Sequence, residues 1–424
     1  MSVLRRCLPY VAALVAAGAV YLAAFEGYDH FSRSIDFNRG PFEDFTGPYY
    51  RMGQRVFEDP RPAPGFLYSP AFAIAMGLLV EAQGRASVWT WLALEVASSL
   101  LVVLLPLALV RLPAAGWRAL YLAVALLSFP LVHNFHWGQV SVAIVALLLA
   151  AILALDRGRP LVAGALFGAA VATKFHPLVF LAALAVQRHW RALRWSARWI
   201  VLLLAGVPLV VLGWPATLEF YRRIADALAH ASATPELWGE APGKQTFADV
   251  AGRWIGGGIG GGIEAEAWKP ALRWVGIAWT AAHLFWLRFL QDQGRTESVE
   301  TFALVFLSTP LWCSPSWPHY FAYLPFCQLV LFARALARAP GARRTVALAA
   351  ILASVLLASL PVFLWVGDPA RYGALGLLFA AHLALLGAFY ALFAPGFLAI
   401  ATRLRPKGGG TRRSTRSSHG MSRS

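Results

Sequence analysis

Five short polar segments of this 424-residue chain set side chains able to do chemistry among aromatic rings. The first runs Phe42-Glu43-Asp44-Phe45-Thr46-Gly47-Pro48-Tyr49-Tyr50 and continues in Phe66-Leu67-Tyr68-Ser69-Pro70. A carboxylate at Asp44 can take the proton of a sugar hydroxyl while Tyr49, Tyr50 and Tyr68 offer faces for the sugar to stack on. The competing reading is a solvated loop acid capping a helix, and Asp29, Asp36, Glu43, Glu58 and Asp59 are rival acids nearby. In Asn134-Phe135-His136-Trp137-Gly138-Gln139-Val140-Ser141, the Gln139 amide supplies both a donor and acceptors, which suits sugar hydroxyls as well as it suits water at a helix start. In Ala172-Thr173-Lys174-Phe175-His176-Pro177 a lysine interrupts two apolar runs. Lysines are scarce among the 37 basic residues, and a cation so placed points to a phosphate partner, with His176 in support; snorkelling to the membrane surface is the plainer alternative. Cys313-Ser314-Pro315-Ser316-Trp317-Pro318-His319-Tyr320 offers stacking faces at Trp317 and Tyr320 and a titratable donor at His319, against the plainer reading of an interfacial aromatic belt. Gly243-Lys244-Gln245-Thr246-Phe247 fits a ligand-facing Gln245 and a solvated loop equally well.

The elements that must position these segments are membrane helices. The chain is 58% hydrophobic and 14% charged, with a mean hydropathy of +0.59, too apolar for a soluble protein of this length. Apolar runs such as Ser87 to Val110 and Val346 to Val366 have the length of a bilayer-crossing helix and lack the two-residue alternation of a membrane strand. The expected fold is an all-α, polytopic transmembrane bundle. A net charge of +16 is spread over short loops and the C-terminal tail, which signals topology rather than a nucleic-acid surface. Cys7, Cys313 and Cys327 give neither a disulfide framework nor a metal spacing.

Twelve spans are expected, near 8–25, 87–110, 118–132, 140–155, 160–173, 177–187, 199–214, 272–290, 298–312, 321–337, 345–366 and 373–394. The first is read as an uncleaved span, because its apolar run exceeds the usual core of a signal peptide. Tyr68 to Val80 is too short to cross and is read as a juxtamembrane helix in the outer leaflet. That choice puts the arginines of 111–118, 157–159, 188–198, 288–295 and 334–344 on the cytoplasmic side with both termini, and the five polar segments on the outer face. The organisation is a transmembrane domain over 1–400 and a disordered basic cytoplasmic tail over 401–424. The glycine run Gly256 to Gly262 lacks the strand before it and the Gly-Lys-Ser/Thr ending of a phosphate cradle, and reads as a hinge.

The order of these segments resembles glycosyltransferase family 87, the polyprenol-phosphate-mannose-dependent mannosyltransferases of GT-C fold. The Asp-Phe, Tyr-Tyr and Tyr-x-Pro pattern falls on Asp44, Tyr49, Tyr50 and Tyr68-Ser69-Pro70, with Ser69 where a proline is expected. A Gly-Gln-x-Asn pattern falls on Gly138-Gln139-Val140-Ser141, and a Lys-x-x-Pro break on Lys174 to Pro177. A Ser-Pro-x-Ser-Trp-x-His-His pattern falls on Ser314 to Tyr320, one residue short and with Tyr320 for the last histidine; an Asn-Gln-Ser pattern falls on Lys244-Gln245-Thr246.

The resemblance implies inverting transfer of a hexose, mannose in that family, from a polyprenyl-phosphate donor to a glycan or glycolipid acceptor at the outer face of a bacterial inner membrane. Asp44 is then the general base, with Asp36 in Ile35-Asp36-Phe37 as the alternative. Lys174 and His176 hold the donor phosphate, and His319 assists the reaction. Tyr49, Tyr50, Tyr68, Gln139, Gln245, Trp317 and Tyr320 line the sugar and acceptor subsites. No metal is expected, because no His, Cys, Asp and Glu set stands at ligand spacing, Asp36, Glu43 and Asp44 being the one group that could hold one. No nucleotide fold or other cofactor is expected, because the donor arrives already activated. The rival class is a secondary transporter or a flippase for lipid-linked sugars, which would show duplicated halves with matching breaks at mid-membrane; the sequence shows no such duplication.

Overall fold

A computed structural model describes residues 10–12, 15, 42–231, 243–255, 263–314 and 316–393. Asp36, most of the first expected span, the 256–262 glycine run and the basic tail lie outside the described residues. Among those described, every regular element is helical. A π-helical turn at Phe45–Tyr49 runs into α1 (Tyr50–Arg55), followed by α2 (Pro70–Gln83), α3 (Ser87–Leu109), α4 (Ala115–Leu126), α5 (Phe129–Trp137), α6 (Ser141–Asp156) and α7 (Pro160–Thr173). A 3-10 turn at His176–Leu178 leads to α8 (Val179–Val186), α9 (Trp190–Val201), α10 (Val207–Leu212) and α11 (Trp214–Ala231). Then come α12 (Phe247–Ile255), α13 (Ile263–Asp292), α14 (Ser298–Trp312), a 3-10 turn at Pro318–Phe321, α15 (Leu324–Leu336), α16 (Ala342–Leu357), α17 (Leu360–Val366), α18 (Pro369–Ala374) and α19 (Leu377–Phe393).

Three helical stretches are long and apolar enough to cross a membrane: Pro70–Leu109, Trp190–Leu212 and Arg371–Phe393. Shorter apolar helices accompany them, including Ser141–Asp156, Pro160–Thr173 and Ser298–Trp312. These helices mark a membrane protein. At the centre stands α14, buried along nearly its whole length and started by a capping box in which Glu297 and Glu300 each bond the other's end of the first turn. On one flank α7 packs so closely on α9 that a Cβ at Gly164 or Gly168 would strike Trp195 or Trp199. Glycines four apart on one helix face allow this approach, the small-residue contact by which helices associate in lipid.

The helices differ from the sequence expectation in three places. The run expected as one span at 118–132 breaks at Leu127–Ser128 between α4 and α5, and the run at 345–366 breaks at Ala358–Ser359 between α16 and α17. The two breaks satisfy each other: Phe129 N–H donates to Ala358 O at 2.9 Å and Leu360 N–H to Leu127 O at 2.7 Å, the single antiparallel bridge among the described residues. Each break precedes a proline at the second helical position, Pro130 or Pro361, where no amide hydrogen is needed. Third, the 188–198 arginine cluster is not a loop, because α9 starts at Trp190 and runs on through a π turn to Leu212.

Candidate active site

The site begins with a turn forced by sterics and closed by aromatics. Phe42 takes a positive φ of 70°, and its N–H donates to His136 O at 2.8 Å. Its carbonyl receives the Thr46 N–H at 2.8 Å and the Thr46 hydroxyl at 3.0 Å. The π turn that follows carries Pro48 inside it and drives Tyr49 fully into the protein. There the Tyr49 ring meets Tyr68, Phe72 and Trp91 edge-on, with centroids 5.0, 5.3 and 5.5 Å away. Asp44, just before the turn, is left half-buried with its carboxylate facing the bundle.

The facing group is Gln139. Gly138 ends α5 in the left-handed region at φ 63°, and a Cβ there would stand 2.8 Å from the Phe42 ring, so glycine meets both demands of the site. The Trp91 indole donates to Gly138 O at 2.8 Å. Gln139 is thereby aimed at three groups at once. Its Oε1 lies 3.0 Å from the Tyr49 hydroxyl and 3.1 Å from that of Tyr68, while the two phenols sit 2.5 Å apart. With the amide oxygen taken by phenols, the NH2 must point the other way, and it donates to Asp44 Oδ2.

Lys174 completes this set. α7 stops at Thr173, Lys174 is extended, and Pro177 prevents the helix from simply continuing. The Ser69 hydroxyl bonds Ala172 O and accepts the Phe72 N–H at 3.1 Å, tying the start of α2 to the end of α7. The ammonium then lies over two aromatic faces, 4.2 Å from the Tyr320 centroid and 5.0 Å from that of Tyr68. Among the described residues Lys174 makes no ion pair.

Burial raises the Asp44 pKa to about 6, against the lowering pull of the Gln139 amide and Lys174 and with a small push from Glu43. Burial likewise lowers Lys174 to about 8, opposed by Cys313 and Asp44. Between those values the site holds one carboxylate and one ammonium, each unstable enough to respond to a ligand.

Two imidazoles flank the Tyr320 ring on which the lysine rests, and a third lies behind them. The His176 and His319 rings lie 5.1 and 5.2 Å from Tyr320, and His133 lies 5.6 Å from His319. Both ring nitrogens of His319 and the Nδ1 atoms of His133 and His176 are buried without a hydrogen-bond partner. Burial, reinforced by the Lys174 charge, lowers His176 to about 3 and His319 well below the usual histidine range. They are therefore neutral at physiological pH, each offering one donor and one acceptor.

The structure thus gathers Asp44, Tyr49, Tyr68, Gln139, Lys174, His176, His319 and Tyr320 at one end of the bundle. Tyr50 packs its ring against Phe45, 6.4 Å away. Trp317 lies against Gly243. Gln245 serves the late loop, with its N–H on Ser316 O at 2.7 Å and its side-chain amide on Gly373 O at 2.7 Å. His133 was missed in the sequence, although it lies one turn before Trp137 on α5 and shares its face. No group of three or more His, Cys, Asp or Glu placed to hold a metal ion occurs among the described residues.

Comparisons with known proteins agree on one family. The family model of Glycosyltransferase family 87 matches residues 66–315, which include Tyr68, Gln139, Lys174 and His176 and leave Asp44 and His319 on either side. A polyprenol-phosphate-mannose-dependent alpha-(1-2)-phosphatidylinositol mannoside mannosyltransferase of Mycolicibacterium smegmatis is 30% identical over 211 residues, 41% of this chain and 44% of the relative. The match thus spans under half the length of that relative. No solved structure matches the chain.

Proposed function

The chain belongs to glycosyltransferase family 87, and on that footing we propose that it transfers a hexose, mannose by analogy with its relative, from a polyprenyl-phosphate donor to a glycolipid or glycan acceptor. The observation that carries this reading is the convergence of a half-buried carboxylate, held by one amide, with an ammonium that makes no ion pair among the described residues. Asp44 accepts the acceptor's hydroxyl proton as that oxygen attacks the anomeric carbon, and the polyprenyl phosphate leaves with the bonding electrons. The Gln139 amide fixes the carboxylate for that transfer. The phosphate leaves as a stable anion, so no strong general acid is needed; Lys174 stabilises the charge that develops on it. His133, His176 and His319, held neutral, donate and accept hydrogen bonds around the sugar and phosphate oxygens. Attack and departure on opposite sides make the reaction inverting.

The reading extends to the membrane. The bundle is of GT-C type with about twelve spans, both termini are cytoplasmic, and the site opens on the outer face of a bacterial inner membrane. The arginine distribution supports that orientation. A transporter or flippase is the rival reading, and one assay separates them. Proteoliposomes loaded with radiolabelled polyprenyl-phosphate mannose and a glycolipid acceptor should yield labelled glycolipid; movement of the intact sugar-lipid across the bilayer without product would favour the rival.

A further inference from the structure

A buried acid stands behind the site and is used by none of the steps above. Glu95 lies within the membrane-length stretch Pro70–Leu109, on α3, and is 0% exposed. Its Oε2 accepts from the Asn134 amide at 2.6 Å, and its Oε1 has no hydrogen-bond partner. A leucine would pack this helix at far less cost, because a carboxyl in an apolar interior is retained only where its bond does something.

Asn134 shows what that bond does. Its side-chain Oδ1 accepts the Val142 N–H at 3.1 Å, capping the free amides at the start of α6 from outside that helix. Its backbone carbonyl accepts the Gln139 N–H at 3.0 Å. One residue therefore holds the chain on both sides of Gln139: with its Oδ1 taken by the Val142 N–H, the Asn134 amide has its NH2 left to give, and Glu95 Oε2 is the acceptor that holds it. The Trp91 indole, one helical turn before Glu95 on α3, secures the intervening Gly138 carbonyl.

We propose that Glu95 is a positioning residue for transfer: through Asn134 it fixes the Gly138–Gln139 turn, and with it the amide that Gln139 presents to Asp44. The inference rests on the reading of Asp44 as the base. It adds that the geometry of that base is set from inside the membrane, by a side chain that touches no substrate.

The test uses the full chain in lipid nanodiscs, with transfer kinetics and an infrared titration of the Asp44 carboxylate identified by its loss in Asp44→Asn. Glu95→Ala and Asn134→Ala cut the same bond from opposite ends, so a folding failure in one leaves the other. Each should lower kcat by roughly tenfold to a hundredfold while moving donor KM by less than about twofold. Each should also move the Asp44 titration to higher pH, since a lowering hydrogen bond is lost; Glu43, Lys174, Tyr49, Tyr68 and Tyr320, which also face Asp44, stay in place. Glu95→Gln keeps an acceptor for Asn134 and should restore both readouts. In a Gln139→Leu background Glu95→Ala should cost nothing further. An unmoved titration, or a loss additive to that of Gln139→Leu, overturns the proposal. If the unaltered protein transfers no sugar, the transfer reading falls instead, and the titration still decides the role of Glu95.

Discussion

The arginine end of the bundle and the site around Lys174 treat positive charge in opposite ways. At the arginine end, cations are matched. Arg288 pairs with Asp292 at 2.7 Å and Arg334 with Glu300 at 3.3 Å. Arg334 also caps Arg295 O at 3.0 Å, and Arg338 bonds Leu392 O. Its remaining arginines reach solvent, as Arg188 does at 65% side-chain exposure. At the site Lys174 rests on tyrosine faces with no ion pair among the described residues, beside His319, whose ring nitrogens both lack a hydrogen-bond partner, and His133 and His176, whose Nδ1 atoms lack one. Matched cations hold helix ends, whereas an unmatched cation next to a fixed carboxylate is ready for an anionic ligand. Charge density alone would have pointed to the wrong end.

Substitution should break this contrast unevenly. Asp44→Asn keeps the shape of the site and removes the base, so transfer should fall by about a thousandfold or more in a radiolabelled donor assay, with Asp36→Asn close to unaltered. A reversal of that pair would move the base to Asp36. Lys174→Met should lower kcat by roughly a hundredfold, and Lys174→Arg should recover only part of it, because a planar fork does not reproduce a compact ammonium over two rings.

The pH profile of kcat/KM sharpens the contrast next. Activity should fall as pH drops through about 6, where Asp44 is protonated, and again as pH rises through about 8, where Lys174 loses its proton. Gln139→Leu should move the acid limb to higher pH and leave the alkaline limb in place. At the arginine end the expected effects are smallest. Arg288→Ala should change turnover by less than about twofold, and Glu300→Ala, which removes half of a capping box, should cost about 1 kcal/mol of stability in a thermal melt.

Much of this was legible in the sequence because lipid simplifies the problem. Apolar runs can only be helices there, and Pro177 after Lys174 announces where one must stop. The convergence of Asp44, Gln139 and Lys174 was legible only as an order of motifs, since nothing local says that residues 95 positions apart will share a hydrogen bond. Other features were hidden. The breaks at Ser128 and Ser359 lie inside runs apolar enough for single spans, and each is favoured only because the other satisfies its backbone. Glu95 is an acid within the apolar run Ser87 to Val110, and nothing local in the sequence pairs it with Asn134. His133 carries no signal apart from its distance to His319.

The stereochemistry of a single turnover tests the central claim most directly. With polyprenyl-phosphate mannose of known anomeric configuration and purified protein, nuclear magnetic resonance of the first product should show the configuration inverted, as one in-line displacement with Asp44 taking the acceptor's proton requires. A product with retained configuration would rule out a single in-line displacement and would contradict the role given to Asp44.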